Sequence, residues 1–431
     1  MLSQQKNEQL TRVGPGTPMG RLMREYWVPA LLSEELPSRD CPPVRTMLLC
    51  ERLIAFRDSN GQVGLFPEKC PHRGASFFFG RSENCGLRCA YHGWKFDVTG
   101  ACMETPTEPN ESPLKRNIRV QAYPCEERCG VVWAYLGPRP VPPSLPNIEV
   151  NMEGTAGRVK AIMLENNWLQ SVEGDIDVAH VPYLHRDNYE AFEEILGSKY
   201  QSVWKGSSHT SVEVADTPGG FAFAESSTSS EQSANGTEGQ KTWDIGHFLF
   251  PFYSNLPYGE LGMHWLVARV PMDDNHTMTF GMWGKDAVTA PPELMLGESL
   301  SKALLPNTTD WFGRFRLARD ISNDFLVDRE HARQSGGCGI AGQMVQDAAI
   351  TASMGPLATR RDEHLGSRDI GVVHLRKRLA AVMHRLDEEP APGVDNPGAY
   401  RFKHGSLTIA RQTNWYDALR RADGVGVTTQ P

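Results

Sequence analysis

Two short segments constrain this chain more than anything else in it. Residues 70–74 read Cys-Pro-His-Arg-Gly and residues 89–94 read Cys-Ala-Tyr-His-Gly-Trp, so a Cys-x-His pair is followed, with sixteen residues between, by Cys-x-x-His. Any fold that uses both pairs together must present two tight loops side by side, which calls for short strands around them. The flanking residues fit that demand. Residues 44–58 and 62–66 are β-like runs joined by Asp58-Ser59-Asn60-Gly61, where Asn-Gly supplies the positive φ angles of a hairpin. Strand patterns continue through 95–102 and 131–137, until the proline-dense stretch 138–146 makes a linker, since it can form neither helix nor central strand.

Two thiolates on one iron and two neutral imidazoles on the other are the ligand set of a Rieske [2Fe–2S] centre, a relay for single electrons. Cys70, His72, Cys89 and His92 supply that set. Gly74 and Gly93, directly after the pairs, permit tight loops whose N–H groups can face the sulfides. A Cys₂His₂ zinc site uses the same residue types, but zinc ribbons and fingers pair cysteine with cysteine and histidine with histidine, whereas here each loop carries one of each. The chain has nine cysteines and no secretory signal, so a disulfide framework is not expected. Cys85, Cys125 and Cys129 are expected to be small buried hydrophobes, and Tyr91 and Trp94 to pack beside the cluster.

With 431 residues, 40% of them hydrophobic and 22% charged, two domains are expected. A formal net charge of −8 leaves no broad positive field for nucleic acid. No apolar run reaches the ~20 residues of a membrane span, and the N-terminus lacks the apolar core of a signal peptide, so a cytoplasmic protein is expected. Residues 15–29 read as a short helix leading into an extended segment. Residues 163–185 carry helix-compatible spacing, 199–285 return to strand-like alternation, and helical patterns resume over 293–384. The polar span 224–241 is expected to be a surface excursion, and the tail after Ala422 to be disordered.

A second constellation lies in Asn-Trp-Leu-Gln-Ser-Val-Glu-Gly-Asp-Ile-Asp-Val-Ala-His-Val-Pro-Tyr-Leu-His, residues 167–185. Asp177 and His180, three apart, are expected on one helical face, and the step to His185 crosses Pro182 and so includes a distortion or a helix end. Two histidines and one carboxylate that leave open positions on a metal are the mark of non-haem Fe(II) oxygenases, where O₂ and substrate need adjacent room. The carboxylate must come from elsewhere. Asp347 sits on a helix-like stretch, and Asp324 and Asp328 compete with it; spacing does not choose among them.

The segments containing Cys70–Gly74 and Cys89–Trp94, followed by residues 167–185, resemble the Rieske oxygenase α-subunits. Residues 15–27, 321–330 and 346–357 are similar to the phthalate 4,5-dioxygenase branch, and the likeness runs from about residue 12 to 375. The resemblance implies an α+β chain: an N-terminal Rieske β-sandwich domain over 27–150 and a helix-grip catalytic domain over 151–422, with an antiparallel sheet and C-terminal helices. Residues 1–26 would pack on the catalytic domain and 423–431 would form a flexible tail. It further implies His180, His185 and Asp347 as iron ligands, the last because a Gln-Asp preceding a helix matches that position in the family. Asp177 becomes a bridge to the partner subunit's His92, in a homotrimer or stacked trimers that take electrons from NAD(P)H through a separate flavin or iron–sulfur reductase. The chain has no Cys-x₄-Cys-x₂-Cys run of a plant-type ferredoxin, consistent with a separate reductant.

The expected reaction is insertion of O₂-derived oxygen into a small aromatic acid as a ring cis-dihydrodiol, with O-demethylation of a methoxylated aromatic acid as the alternative. A Rieske electron carrier without catalysis is the rival from another class, and it predicts a short chain. Phthalate itself is disfavoured, because its two carboxylates are best held by bidentate arginines. Between Asp187 and Ala268 there is no arginine, and only Lys199, Lys205 and Lys241. Some of Phe221, Phe223, Trp243, Phe248, Phe250, Phe252, Tyr253 and Trp265 are expected to line an apolar pocket.

Overall fold

A computed structural model of the chain describes residues 2–109, 111–148, 159–188, 190–191, 194, 211–226, 239–257, 265–284 and 291–423. Most of the expected polar excursion at 224–241, the lysines 199 and 205, and the tail beyond Asp423 lie outside the described residues.

Three small antiparallel sheets build the region around the cysteines. Trp27–Leu32 pairs with Val131–Tyr135, which pairs with Cys125–Arg128; Val44–Leu48, Glu51–Arg57 and Val63–Pro67 form the second; Arg81–Glu83, Gly86–Arg88, Lys95–Phe96 and Cys102–Glu104 form the third. The expected hairpin forms at Gly61, with φ of 87°, and the Asp58 carboxylate accepts from the backbone N–H groups of Asn60 and Gln62. The expected single run over 44–58, in contrast, folds back on itself at Leu49 and Cys50, both left-handed at φ of 49° and 66°. Neither residue type favours that conformation. Their N–H groups donate to the carbonyls of Pro271 and Met272 at 3.0 and 2.8 Å, so bonds to a distant strand compensate the local strain.

The rest of the chain is organised by an eight-stranded antiparallel sheet, ordered Val159–Leu164, Thr277–Trp283, Trp265–Pro271, Tyr253–Asn255, Gln240–Leu249, Gly220–Ser226 and Ser211–Thr217, with Gly405–Ala410 pairing to Gln240–Leu249. Successive side chains of a strand point to opposite faces. Phe221, Phe223 and Phe248 accordingly join Val172, Leu375 and Leu379 in the largest apolar cluster. Ala222, Ala224, Trp243 and Ile245 meet Trp415 and Leu419 on the other side. Burying each of these phenylalanines contributes roughly 1.5–3 kcal/mol. The sheet therefore holds helices Trp168–Ile176 and Ile370–Arg385 on one face and helix Trp415–Ala422 on the other, the α+β arrangement with C-terminal helices that was expected.

Several local expectations shift. Helix Pro18–Arg24 leads into strand Trp27–Leu32, as read. The segment 163–185 begins instead as the end of an edge strand, Val159–Leu164, before its helix starts at Trp168 behind the Asn167 cap. The helical region 293–384 is broken over 304–328, where Asp324, Phe325 and Leu326 all have φ of 51°. Strand Gly405–Ala410 and helix Trp415–Ala422 were not anticipated. The N-terminal segment is tied down by the Asn7 side-chain amide donating to the Ala358 carbonyl, an Arg12–Asp274 pair at 2.8 Å and the Asn167 amide donating to the Thr11 carbonyl.

Candidate functional site

The two cysteine-histidine loops repeat one backbone pattern. Cys70 N–H donates to the Ala75 carbonyl and Gly74 N–H to the Cys70 carbonyl; Cys89 N–H donates to the Trp94 carbonyl and Gly93 N–H to the Cys89 carbonyl. Each loop closes through a glycine at positive φ, 74° at Gly74 and 73° at Gly93. Cys70 and Cys89 are buried, while His72 and His92 are half-buried with ring centroids 4.5 Å apart. The two thiols interact with each other, which lowers the pKa of Cys89 and pushes that of Cys70 up. The four side chains thus separate into an inner sulfur pair and an outer nitrogen pair, which fits a cluster with one sulfur-bound and one nitrogen-bound iron.

Trp94 is buried and stacks on His72 at 4.2 Å, as a packing residue should; Tyr91 stays exposed, 3.8 Å from the His92 ring. Cys85, Cys125 and Cys129 are half-buried rather than buried. Cys85 and Cys129 occupy left-handed turn positions, φ 62° and 54°, which keeps them at the surface of their hairpins.

A second group forms where two helices meet. Helix Trp168–Ile176 ends at Asp177, whose ψ of 90° turns the chain away, so Asp177 and His180 do not share a helical face as expected. The Asp177 carboxylate instead accepts from the Ala179 N–H, and His180 starts a one-turn helix, Val181–Leu184, with Pro182 in its first turn and His185 at its end. A proline is compatible with that first turn because it needs no N–H there. Both imidazoles then point at Asp347, which lies within helix Gln343–Ser353 rather than before it. Asp324 and Asp328 are exposed elsewhere, and Asp328 caps helix Arg329–Ser335.

His180 Nε2 and His185 Nε2 are 3.2 Å apart, and Asp347 Oδ1 lies 3.5 Å from the first and 3.1 Å from the second. Ligands ~2.1 Å from a shared ion and roughly at right angles lie about 3 Å from one another, so these donor atoms fit one divalent metal. Among the described residues His180, His185 and Asp347 are the group so placed. Burial alone would raise the Asp347 carboxyl, yet His185 and His180 hold it well below the usual carboxylate range. Burial would likewise lower His180, and the hydrogen bond and charge of Asp347 overcome it.

The three side chains line a cavity of about 510 Å³. None of the eight aromatic residues expected there is among its described lining. All but half-buried Trp265 fill the core and the back of the sheet, and aliphatic Leu164, Val178, Leu184, Leu256, Ile350 and Met354 are among the residues that line the cavity instead. Guanidiniums do reach it, from outside the interval searched in the sequence: Arg269, paired with Asp175, and Arg360 and Arg376, which share Glu173. Sequence reasoning also missed Gln346, buried behind His185; its place beside Asp347 was the available signal.

Residues 26–124 match the family described as Rieske [2Fe-2S] domain, and residues 134–418 match that described as LigXa C-terminal domain like. The chain is 39% identical to a 3-chlorobenzoate-3,4-dioxygenase oxygenase subunit of Comamonas testosteroni, over 97% of this chain and 98% of that one. It is 35% identical to a phthalate 4,5-dioxygenase oxygenase subunit of Pseudomonas putida (100% and 99%), and 30% identical to a 5,5'-dehydrodivanillate O-demethylase oxygenase subunit of Sphingobium (92% and 84%). The fold is similar to crystalline dicamba monooxygenase bound to 3,6-dichlorosalicylic acid, with TM-score 0.55 and 17% identity over 85% of this chain and 99% of that one.

Proposed function

Because this chain belongs to the Rieske non-haem iron oxygenases, as an aromatic-ring-hydroxylating α-subunit, we propose that it inserts O₂-derived oxygen into a small aromatic acid beside His180, His185 and Asp347. The observation that carries this reading is the meeting of the two Nε2 atoms and Asp347 Oδ1 on the wall of a cavity that combines aliphatic and charged side chains. Full-length likeness to oxygenase subunits leaves no room for the electron-carrier alternative.

A Rieske cluster held by Cys70, Cys89, His72 and His92, and a mononuclear iron held by His180, His185 and Asp347, would supply electron transfer and O₂ activation when bound. The electrons come from NAD(P)H through a separate reductase. The chain's own residues do the rest. His180 Nδ1 lies 2.5 Å from the Asp177 carbonyl, which only accepts, so a neutral His180 ring carries its proton on Nδ1 and offers Nε2 to the metal site. Leu184, Val178, Leu256 and Ile350 offer an apolar surface to an aromatic ring and exclude water from it. Arg269, Arg360 and Arg376 give the same cavity positive groups for an acid, although each is already paired with a carboxylate. That pairing favours a monoacid over phthalate, in line with the relative named for 3-chlorobenzoate.

The division we favour places 27–150 around the thiol-imidazole loops and 151–422 around the triad, with the N-terminal segment on the latter. The Asn7, Arg12 and Asn167 contacts support it. We also favour a trimer or stacked trimers, in which Asp177 accepts from the partner subunit's His92. The Asp177 side chain is 29% exposed, and His72 and His92 are half-buried rather than closed off. Light scattering giving three or six chains per particle would agree with it, and a monomer would refute it.

The test of function is turnover of benzoates under ¹⁸O₂ with reductase and NADH. Two labelled oxygens in a cis-dihydrodiol support ring dihydroxylation. Formaldehyde from methoxybenzoates supports demethylation, the second reading, which the O-demethylase relative favours. NADH oxidation that no aromatic acid stimulates would defeat both.

A further inference from the structure

His185 is held by a residue with no role in the scheme above. Its Nδ1–H donates to Gln346 Oε1 at 2.7 Å, and the same oxygen accepts from the Asn188 amide at 3.3 Å. The Gln346 Nε2 donates to the Ile340 carbonyl at 2.7 Å. Gln346 is fully buried, and His185 and Asn188 nearly so.

This chain of bonds has one allowed polarity. A backbone carbonyl only accepts, so the Gln346 NH₂ must face Ile340 and its oxygen must face His185. An amide oxygen also only accepts, so the proton of the neutral His185 ring must sit on Nδ1. Nε2 is then left with its lone pair directed at Asp347 Oδ1, 3.1 Å away. Without an acceptor behind it, the ring would divide between two tautomers and two orientations, and only one of these presents a lone pair to a metal. Adjacent residues of a helix point about 100° apart, so Asp347 can reach the metal site while Gln346 reaches behind the imidazole.

We propose that Gln346 is a positioning residue for the mononuclear metal site: it fixes His185 as the Nδ1–H tautomer and thereby sets metal affinity. This rests on the reading of His185 as a ligand, and the experiment separates the two. Protein with an intact Rieske cluster and an emptied mononuclear site is titrated with Co(II) by equilibrium dialysis, with bound cobalt measured directly and the oxidised cluster's visible spectrum as the check of folding. Wild-type binding that is absent, or unchanged in H185A, refutes the ligand reading itself. If wild type binds, Q346L, similar in size but without an acceptor, should bind ~10–100-fold more weakly with the Rieske spectrum unchanged.

Q346E keeps the acceptor for His185 while placing a carboxylate against the Ile340 carbonyl. It should hold Co(II) within a few-fold of wild type, with a shifted Co(II) EPR spectrum from a stronger imidazole donor. A residue that only fills space predicts the reverse order, Q346E being the more damaging of the two. Wild-type affinity in Q346L, or Q346E weaker than Q346L, overturns the proposal. If Q346L loses the Rieske spectrum, Q346E decides: affinity near wild type supports the proposal, and a ~10-fold or greater loss with unshifted EPR ends it.

Discussion

Nε2 of His185 lies 3.1 Å from Oδ1 of Asp347, although 161 residues separate the two along the chain. The one-turn helix Val181–Leu184 carries the histidine and helix Gln343–Ser353 carries the acid. Their approach converts two unremarkable side chains into a metal site, and it depends on packing between helices rather than on either segment alone.

Replacing Asp347 or His185 by alanine should therefore remove one metal and leave the other centre whole. Iron should fall from about three to about two per chain while the Rieske absorption persists, and substrate oxidation should drop to background. Metal analysis beside visible spectra reads this directly. Loss of all iron together would mean that the two centres do not fold independently of one another.

The paired loops make a second prediction. Gly74 and Gly93 both lie at positive φ, where an alanine costs about 1–2 kcal/mol. A Cβ on Gly74 would meet nothing within 4 Å, whereas one on Gly93 would lie 3.1 Å from Pro106 Cγ. G93A should lose its cluster on heating at a lower temperature than G74A, and both below wild type, as followed by bleaching of the visible bands. Equal behaviour of the two would show that backbone conformation alone sets the cost.

These glycines also show what was legible in the chain. Each loop's ligands and its closing glycine lie within five residues, so the chemistry is written locally, and His180 and His185 are close for the same reason. The turn at Leu49-Cys50 left no local mark because the strain is compensated by Pro271 and Met272, far away in sequence. The cavity lining was misread for a similar cause. An aromatic residue on a strand belongs to one face or the other, and alternation alone does not say which face holds the substrate; here Trp243 lies under Trp415, while Phe221, Phe223 and Phe248 pack on the helices. The arginines escaped notice because Arg360 and Arg376 arrive from a late loop and helix that only the tertiary fold brings to the cavity.

Glu173 should prove to be a structural keystone of that wall. It lies half-buried between Arg360 and Arg376, at 2.7 Å from each. Burial works against its charge, but the two guanidiniums more than compensate and hold the carboxyl below its usual value. E173Q would take from buried Arg360 its charged partner and leave buried Arg376 with Glu363 alone, a change that costs up to about 3–5 kcal/mol. Because the folded value is lowered, the pair stabilises above the unfolded carboxyl's pKa and is lost as pH falls through the folded value. Thermal unfolding should accordingly separate wild type from E173Q by several degrees at pH 7 and by progressively less in acid. A gap that stays constant would refute the ionic account.

His247 gives a linkage of the same sign with no ionic partner behind it. It lies in the middle strand Gln240–Leu249, fully buried, with its ring stacked on Phe402 and no hydrogen-bond partner for either nitrogen among the described residues. Burial pushes its pKa down to about 3. Between that value and the ~6.5 of an unfolded histidine, the unfolded chain binds a proton that the native chain refuses. Stability must then fall as the pH drops below about 6.5, by ~1.4 kcal/mol for each unit until the folded value is reached. H247L loses no hydrogen bond and no charge, so at pH 7.5 it should be within about 1 kcal/mol of wild type. Toward pH 5 it should gain on wild type by ~2 kcal/mol, since only wild type carries that proton linkage. Apparent unfolding temperatures measured across this range should diverge in the variant's favour; parallel curves would mean that the imidazole finds a proton acceptor in the folded chain.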